Sequence, residues 1–310
     1  LTGRRAAVTA MATVRNNEYW AERFTRLNES LLRKGEGYAG TLKREYKRAA
    51  ADISKEIEAF YGRYAGSSAL SPAEARKPLS NKGLKEFRLT VVDYIRYGQE
   101  KGLDQSWIRQ LKNISARSRI SRLEALQIQI RQRVEALTAG REAGTAKVLG
   151  EIYGEGYYRS IYEVQKGLGA GMPFAALERN RIDRVLSTPW SADGLNFSRK
   201  IQSSRAKLLS ELNTRLSRSI MRGDAPDRAI REIDACLGAF SSSTVRLVMT
   251  ESAHFANEGI AAALGELKFG EYKYIASSEE GTCEICESLD GKVFAFRDKA
   301  PGVNFPPIHP

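Results

Sequence analysis

Between Asn17 and Tyr64 large apolar residues return every three or four positions: Trp20, Phe24, Leu27 and Leu31, then Tyr46, Ile53, Ile57 and Phe60. That is the period of one helix face, and with no proline in the stretch it predicts a single long amphipathic helix, loosened at KGEGYAG if anywhere. At about 1.5 Å per residue such a helix extends roughly 70 Å, long enough to reach out to a partner. The following AGSSALSPAEARKPLSNKG is rich in Ser, Pro and Gly and predicts a connector. Its Ser-Pro pair suits the start of a short helix.

Helical periods resume over LKEFRLTVVDYIRYGQEKG and again over the stretch in which Leu123, Leu126, Ile130, Val134 and Leu137 form one stripe. Tyr153, Tyr157, Tyr158 and Tyr162 follow near helical spacing, which suits core packing more readily than stacking on single-stranded bases. A break is expected at Pro189, a stop and restart at GDAPDRAI, and a further helix opening on the Ser/Thr run of STVRLVMTESAHFANEG. Only then does the period shorten to two, in YKYIAS and GKVFAF, with SLDG as a tight turn. The fold class is therefore mainly α: a long N-terminal helix, a helical body, and a small C-terminal β-hairpin-like module with a CxxC turn. The expected division is an arm over 1–66, a basic body over 67–240 and the module over 241–310.

With 310 residues and 42% hydrophobic content, the chain can bury one large core or two smaller ones. Its net charge of +12 is unevenly spread. Residues 1–150 hold 29 Lys/Arg against 16 Asp/Glu, and residues 232–310 hold 6 against 12. A basic body and an acidic end imply different partners. Arg117, Arg119, Arg122, Arg131 and Arg133, opposite the apolar stripe, are candidate contacts for nucleic-acid phosphate; a solvated face is the alternative. No apolar run approaches the roughly 20 residues of a membrane span, so no membrane partner is expected. The first residue is Leu rather than Met, and further residues are expected before Leu1 and after Pro310.

Three cysteines do not make a disulfide framework, and synthesis in a reducing cytoplasm is expected. Cys236, alone in REIDACLGAF, reads as a small buried helix residue. Cys283-x-x-Cys286 places two thiolates within reach of one ion, and His309 is a third candidate ligand for a structural zinc. A redox pair, a disulfide and two unrelated thiols are the alternatives. Glu251, His254 and Glu258 share a helix face, but the second Glu-x-x-His helix of a di-iron bundle is missing, which favours a structural His254. With two histidines and no Gly-x-Ser-x-Gly elbow, Walker A loop or His-Glu-x-x-His helix, the chain is expected not to be an enzyme.

VRLVMTESAHFANEG, YKYIASSEEGTCEICESLDGKVF and FPPIHP, taken in that order, resemble the C-terminal signature of phage head morphogenesis proteins, the minor head family that includes Mu F-like proteins. Arg246, Thr250, Glu251, Asn257, Cys283, Cys286, Asp290, Gly291, Lys292, Pro306, Pro307, His309 and Pro310 match the signature. YWAERF, LKEFR and ISRLEAL also resemble minor head proteins of tailed phages and prophages. Glu279 or Glu280 stands where members usually carry an aspartate, and the sequence stops before the Cys-Arg-Cys segment that commonly follows. The resemblance implies a low-copy virion component inside the head at the portal, serving head morphogenesis and DNA packaging or ejection. Its implied partners are the portal protein, the major capsid or scaffolding protein, and packaged double-stranded DNA. A zinc-clipped nucleic-acid-binding protein without a virion role, and a carrier of a C-terminal toxin domain, are the alternatives.

Overall fold

Apolar residues at every fourth position set the packing of the long helices. The computed structural model describes residues 16–65, 70–276 and 283–308. The described residues are 76% helical, as the apolar periods require. Its elements are α1 (Asn17–Tyr64), α2 (Pro72–Arg76), α3 (Asn81–Lys101), α4 (Gln105–Ser115), α5 (Arg122–Thr138), α6 (Arg141–Leu168), α7 (Arg179–Ser187), α8 (Phe197–Arg222), α9 (Pro226–Glu266), β1 (Glu271–Lys273), α10 (Glu284–Leu289) and β2 (Val293–Ala295). Side-chain caps start several of them: Ser80 accepts from Gly83 N, Ser121 from Glu124 N and Asn196 from Arg199 N. Gly223, at φ 70°, ends α8 in the left-handed conformation that a residue with a Cβ resists, and Pro226 restarts the chain as α9.

α9 is one uninterrupted helix of 41 residues. The Ser/Thr run expected to open a separate helix lies inside it, where Ser242 Oγ donates to Gly238 O at 3.1 Å. A hydroxyl satisfied by the preceding turn does not cap a new helix.

Two compact units emerge, each drawn from separated stretches: residues 1–36, 148–191 and 249–310 in one, 37–147 and 192–248 in the other. The second unit holds an extensive core. Ile53 and Ile57 of α1, Leu126, Ile130 and Val134 of α5, Leu208, Leu212, Leu216 and Ile220 of α8, and Ile233 and Leu237 of α9 are buried together. Cys236 is buried there too, as its surroundings in sequence predict. A neighbouring cluster packs Phe87 and Val91 of α3 and Trp107 and Leu111 of α4 against Ala125 and Ile128 of α5. α5 is thus covered on two faces. The face expected to be free and basic is partly buried, because Trp107 Nε1 donates to Gln132 at 2.8 Å and carries the Arg131 guanidinium over its ring.

In the first unit Tyr157, Ile161 and Val164 of α6 pack with Ala263 and Leu267, and Trp20 and Phe24 of α1 join them. α6 and α9 approach closely at glycines: a Cβ on Gly156 would lie 3.2 Å from Ala256 O, and one on Gly259 would collide with the Tyr153 carbonyl. Tyr153 and Tyr157 are core residues, whereas Tyr158 and Tyr162 are exposed.

Candidate functional site: a C-terminal clip on helix α9

After Glu266 the chain turns back into a two-stranded antiparallel sheet, with Glu271 opposite Ala295, Tyr272 opposite Phe294 and Lys273 opposite Val293. Strands of three residues have too little ladder to stand alone. Side chains supply the rest. Asp290 Oδ1 accepts from Ala276 N at 2.9 Å, Gly291 takes φ 72° and donates its N–H to Tyr274 O, and Tyr274 N donates to Lys292 O at 2.8 Å. The Asp-Gly-Lys turn of the sequence signature is therefore the stitch between the ends of the hairpin.

Asn304 is a second stitch. Its Oδ1 accepts from Ala300 N at 2.8 Å and from the Tyr272 hydroxyl at 3.1 Å, while its Nδ2 donates to Asp298 O at 2.9 Å. Phe305, 4% exposed, packs edge-on against Tyr272. Lys299 Nζ reaches both Glu258 oxygens at 2.7 Å and so ties the module to α9. Sequence reasoning missed Asn304, Lys299 and the role of Glu258. Their partners lie across turns whose geometry no period announces.

On α9 itself the signature residues do structural work. Glu251, 1% exposed, accepts from Trp190 Nε1 at 2.8 Å, and the same indole stacks on the His254 imidazole at 4.2 Å between centroids. Asn257 Nδ2 donates back to Ala253 O, Thr250 is half-buried, and Arg246 is exposed. Glu251, His254 and Glu258 do not converge: the first two meet Trp190, the third meets Lys299.

Cys283 caps α10, its Sγ accepting from Cys286 N at 3.4 Å, so the pair opens a short helix rather than a turn. That is also where redox pairs sit, but the adjoining sheet is a two-stranded antiparallel one rather than a βαβ unit. Burial and the neighbouring Cys283 raise the Cys286 thiol, and Tyr274, itself pushed up by burial, hydrogen-bonds to it. Two adjacent thiols on one turn suit a soft metal such as zinc. His309, the third expected ligand, lies outside the described residues, as do Glu279 and Glu280. Among the described residues no three His, Cys, Asp or Glu side chains form a metal-holding group.

Four of the five candidate phosphate-binding arginines are engaged internally. Arg117 pairs with Glu124, Arg122 with Glu74 at 2.7 Å, Arg133 with Glu56 at 2.6 Å, and Arg131 with Glu135 at 3.4 Å. Arg119 is exposed. Phosphate would have to compete with carboxylates already in place at the other four.

A helical protein closed by a small aromatic clip is thus the setting of the sequence signature. Residues 210–310 match the family model described as Phage Mu protein F like protein, which bears out the resemblance read from the sequence and supports a phage head-related protein. The family supports a virion component, and among the described residues no helix is long and apolar enough to cross a membrane. No curated protein and no solved structure matches the chain.

Proposed function

We propose that this chain is a minor head protein of a tailed phage or prophage, held in few copies inside the head at the portal. There it serves head morphogenesis and DNA packaging or ejection without catalysing a reaction. The observation that supports this reading is the Mu F-like match over residues 210–310, the stretch whose signature residues build the clip. Its partners in this reading are the portal protein, the major capsid or scaffolding protein, and packaged double-stranded DNA. Cys283 and Cys286, with His309, would hold a structural zinc, which supplies cross-linking rather than chemistry when every position is a protein ligand.

Assembled heads from the same genome test the reading. Purified heads should contain the chain in far fewer copies than the major capsid protein, and a cryo-EM map should place it inside, against the portal. Absence from heads, or an exterior or tail-tip position, overturns it. DNA contact has a separate readout, salt-titrated binding of the full chain to duplex DNA; no binding even at low salt removes DNA from the partners.

A further inference from the structure

Arg141 opens α6 and is 4% exposed. Burying a guanidinium is costly unless an opposite charge faces it. Among the described residues no carboxylate pairs with this one. Its neutral partners are the Tyr46 hydroxyl at 3.0 Å, the Leu137 carbonyl at 3.5 Å and the Tyr46 ring, and its Nε has no hydrogen-bond partner. Arg122 and Arg133 share that unspent Nε, but each has a carboxylate within 2.7 Å. Leu137 lies in the last turn of α5, so the helix end offers Arg141 a partial negative charge of about half a unit, less than the cation needs.

A second buried donor stands beside it. Thr244, 5% exposed, shares a hydrogen bond of 2.9 Å with the Tyr46 hydroxyl, and that same phenol oxygen accepts from Arg141. Two hydroxyls supply two hydrogens, and one lies between them. Whichever oxygen donates, the other hydrogen has no acceptor among the described residues. Arg141 and Thr244 both line a cavity of about 340 Å³ between α8 and α9. Lys207 is exposed at its edge, Phe240 and Leu247 form an apolar wall, and Lys200 at the rim pairs with Asp193 at 3.5 Å.

We propose that this cavity binds the phosphate group of a small molecule, either a phosphate monoester or inorganic phosphate. A phosphate dianion presents several acceptor oxygens to donors arriving from different directions. The guanidinium, the hydroxyl pair and the lysine offer that arrangement. Among the described residues that line the cavity, Asp193 is the one carboxylate, and Lys200 offsets it. The inference stands apart from the head-protein reading, since it uses none of the signature residues.

Isothermal titration of the full chain at constant ionic strength, with inorganic phosphate, phenyl phosphate and chloride as probes, tests it. Saturable one-site binding of both phosphates and none of chloride is expected. Lys207→Ala and Thr244→Val should each weaken it roughly tenfold, the effect of one charge-assisted or buried hydrogen bond. Arg141→Gln should abolish it, with circular dichroism reporting whether that variant folds; the exposed Lys207 keeps the test decisive if it does not. A signal that fails to saturate, or that both Lys207→Ala and Thr244→Val leave unchanged, means an adventitious ion only and overturns the proposal. So does a duplex DNA that binds through Lys207 while inorganic phosphate does not.

Discussion

The helical core of the second unit and the C-terminal clip are held together in contrasting ways. In the core, four helices each contribute several buried aliphatic residues, with Leu208, Leu212, Leu216 and Ile220 as one contiguous ridge. Many similar contacts share the stabilisation there, and different aliphatic sets of the same volume would fill the space. In the clip, strands of three residues and a few specific bonds from Asp290, Asn304 and Lys299 do the holding. Such bonds depend on residue identity. The difference explains why the clip carries a recognisable signature, whereas the core reads only as apolar periods.

Breaking the core should have the largest effect. Leu126→Ala or Ile53→Ala, both fully buried, should each cost about 2–5 kcal/mol, seen as a lower denaturant midpoint for the whole transition. A midpoint shift below about 1 kcal/mol would mean that the core is not shared as described. Gly259→Ala comes next, because its methyl meets a backbone carbonyl that cannot swing aside; a cost of about 1–3 kcal/mol is expected by the same measurement.

The clip should answer locally. Asn304→Ala removes the acceptor for Ala300 N and Tyr272 and should speed amide hydrogen exchange over 270–275 and 293–305, with about 1 kcal/mol or less lost globally. Uniform acceleration across all helices would contradict the local character of the clip.

The smallest effect is a pH dependence in the helical unit. Bonds from Ser106 and Arg205 hold the Asp104 carboxyl well below the usual carboxylate range. A carboxyl depressed in the folded state stabilises the fold above its unfolded value of about 3.9 and loses that contribution as pH falls toward its folded value. Asp104→Asn should therefore lower the melting temperature near neutral pH, and the gap from the unsubstituted chain should close below about pH 4. A gap that stays constant with pH would remove the charged interaction from the account.

The long N-terminal helix, the restart at Pro226 and the strand pair were legible because each follows from residues close together in sequence: an apolar period, a Gly-Asp-Ala-Pro stop, alternating runs. The continuity of α9 was not, since Ser241–Thr244 carries the chemistry of a cap and only the surrounding turns decide otherwise. The arginines of α5 show a similar limit. Sequence places Arg131 and Arg133 on the polar side, but Trp107, Glu135 and Glu56, which engage them, arrive from packing between elements. The signature residues pointed to the clip and to α9, and the structure shows what several of them do: Asp290 and Gly291 close the turn of the clip, and Glu251 on α9 anchors an indole.

The glycine contact between α6 and α9 also restricts how this sequence can drift. At Gly259 the opposite helix leaves no room for a methyl group, and at Gly156 a methyl would press on Ala256 O and Gly259 Cα at 3.2 and 3.4 Å, so a change at one position bears on the spacing that the other must accommodate. Among related chains the two positions should vary together or not at all, and a recombinant that takes α6 from one relative and α9 from another inherits a steric mismatch wherever the two parents solved that spacing differently.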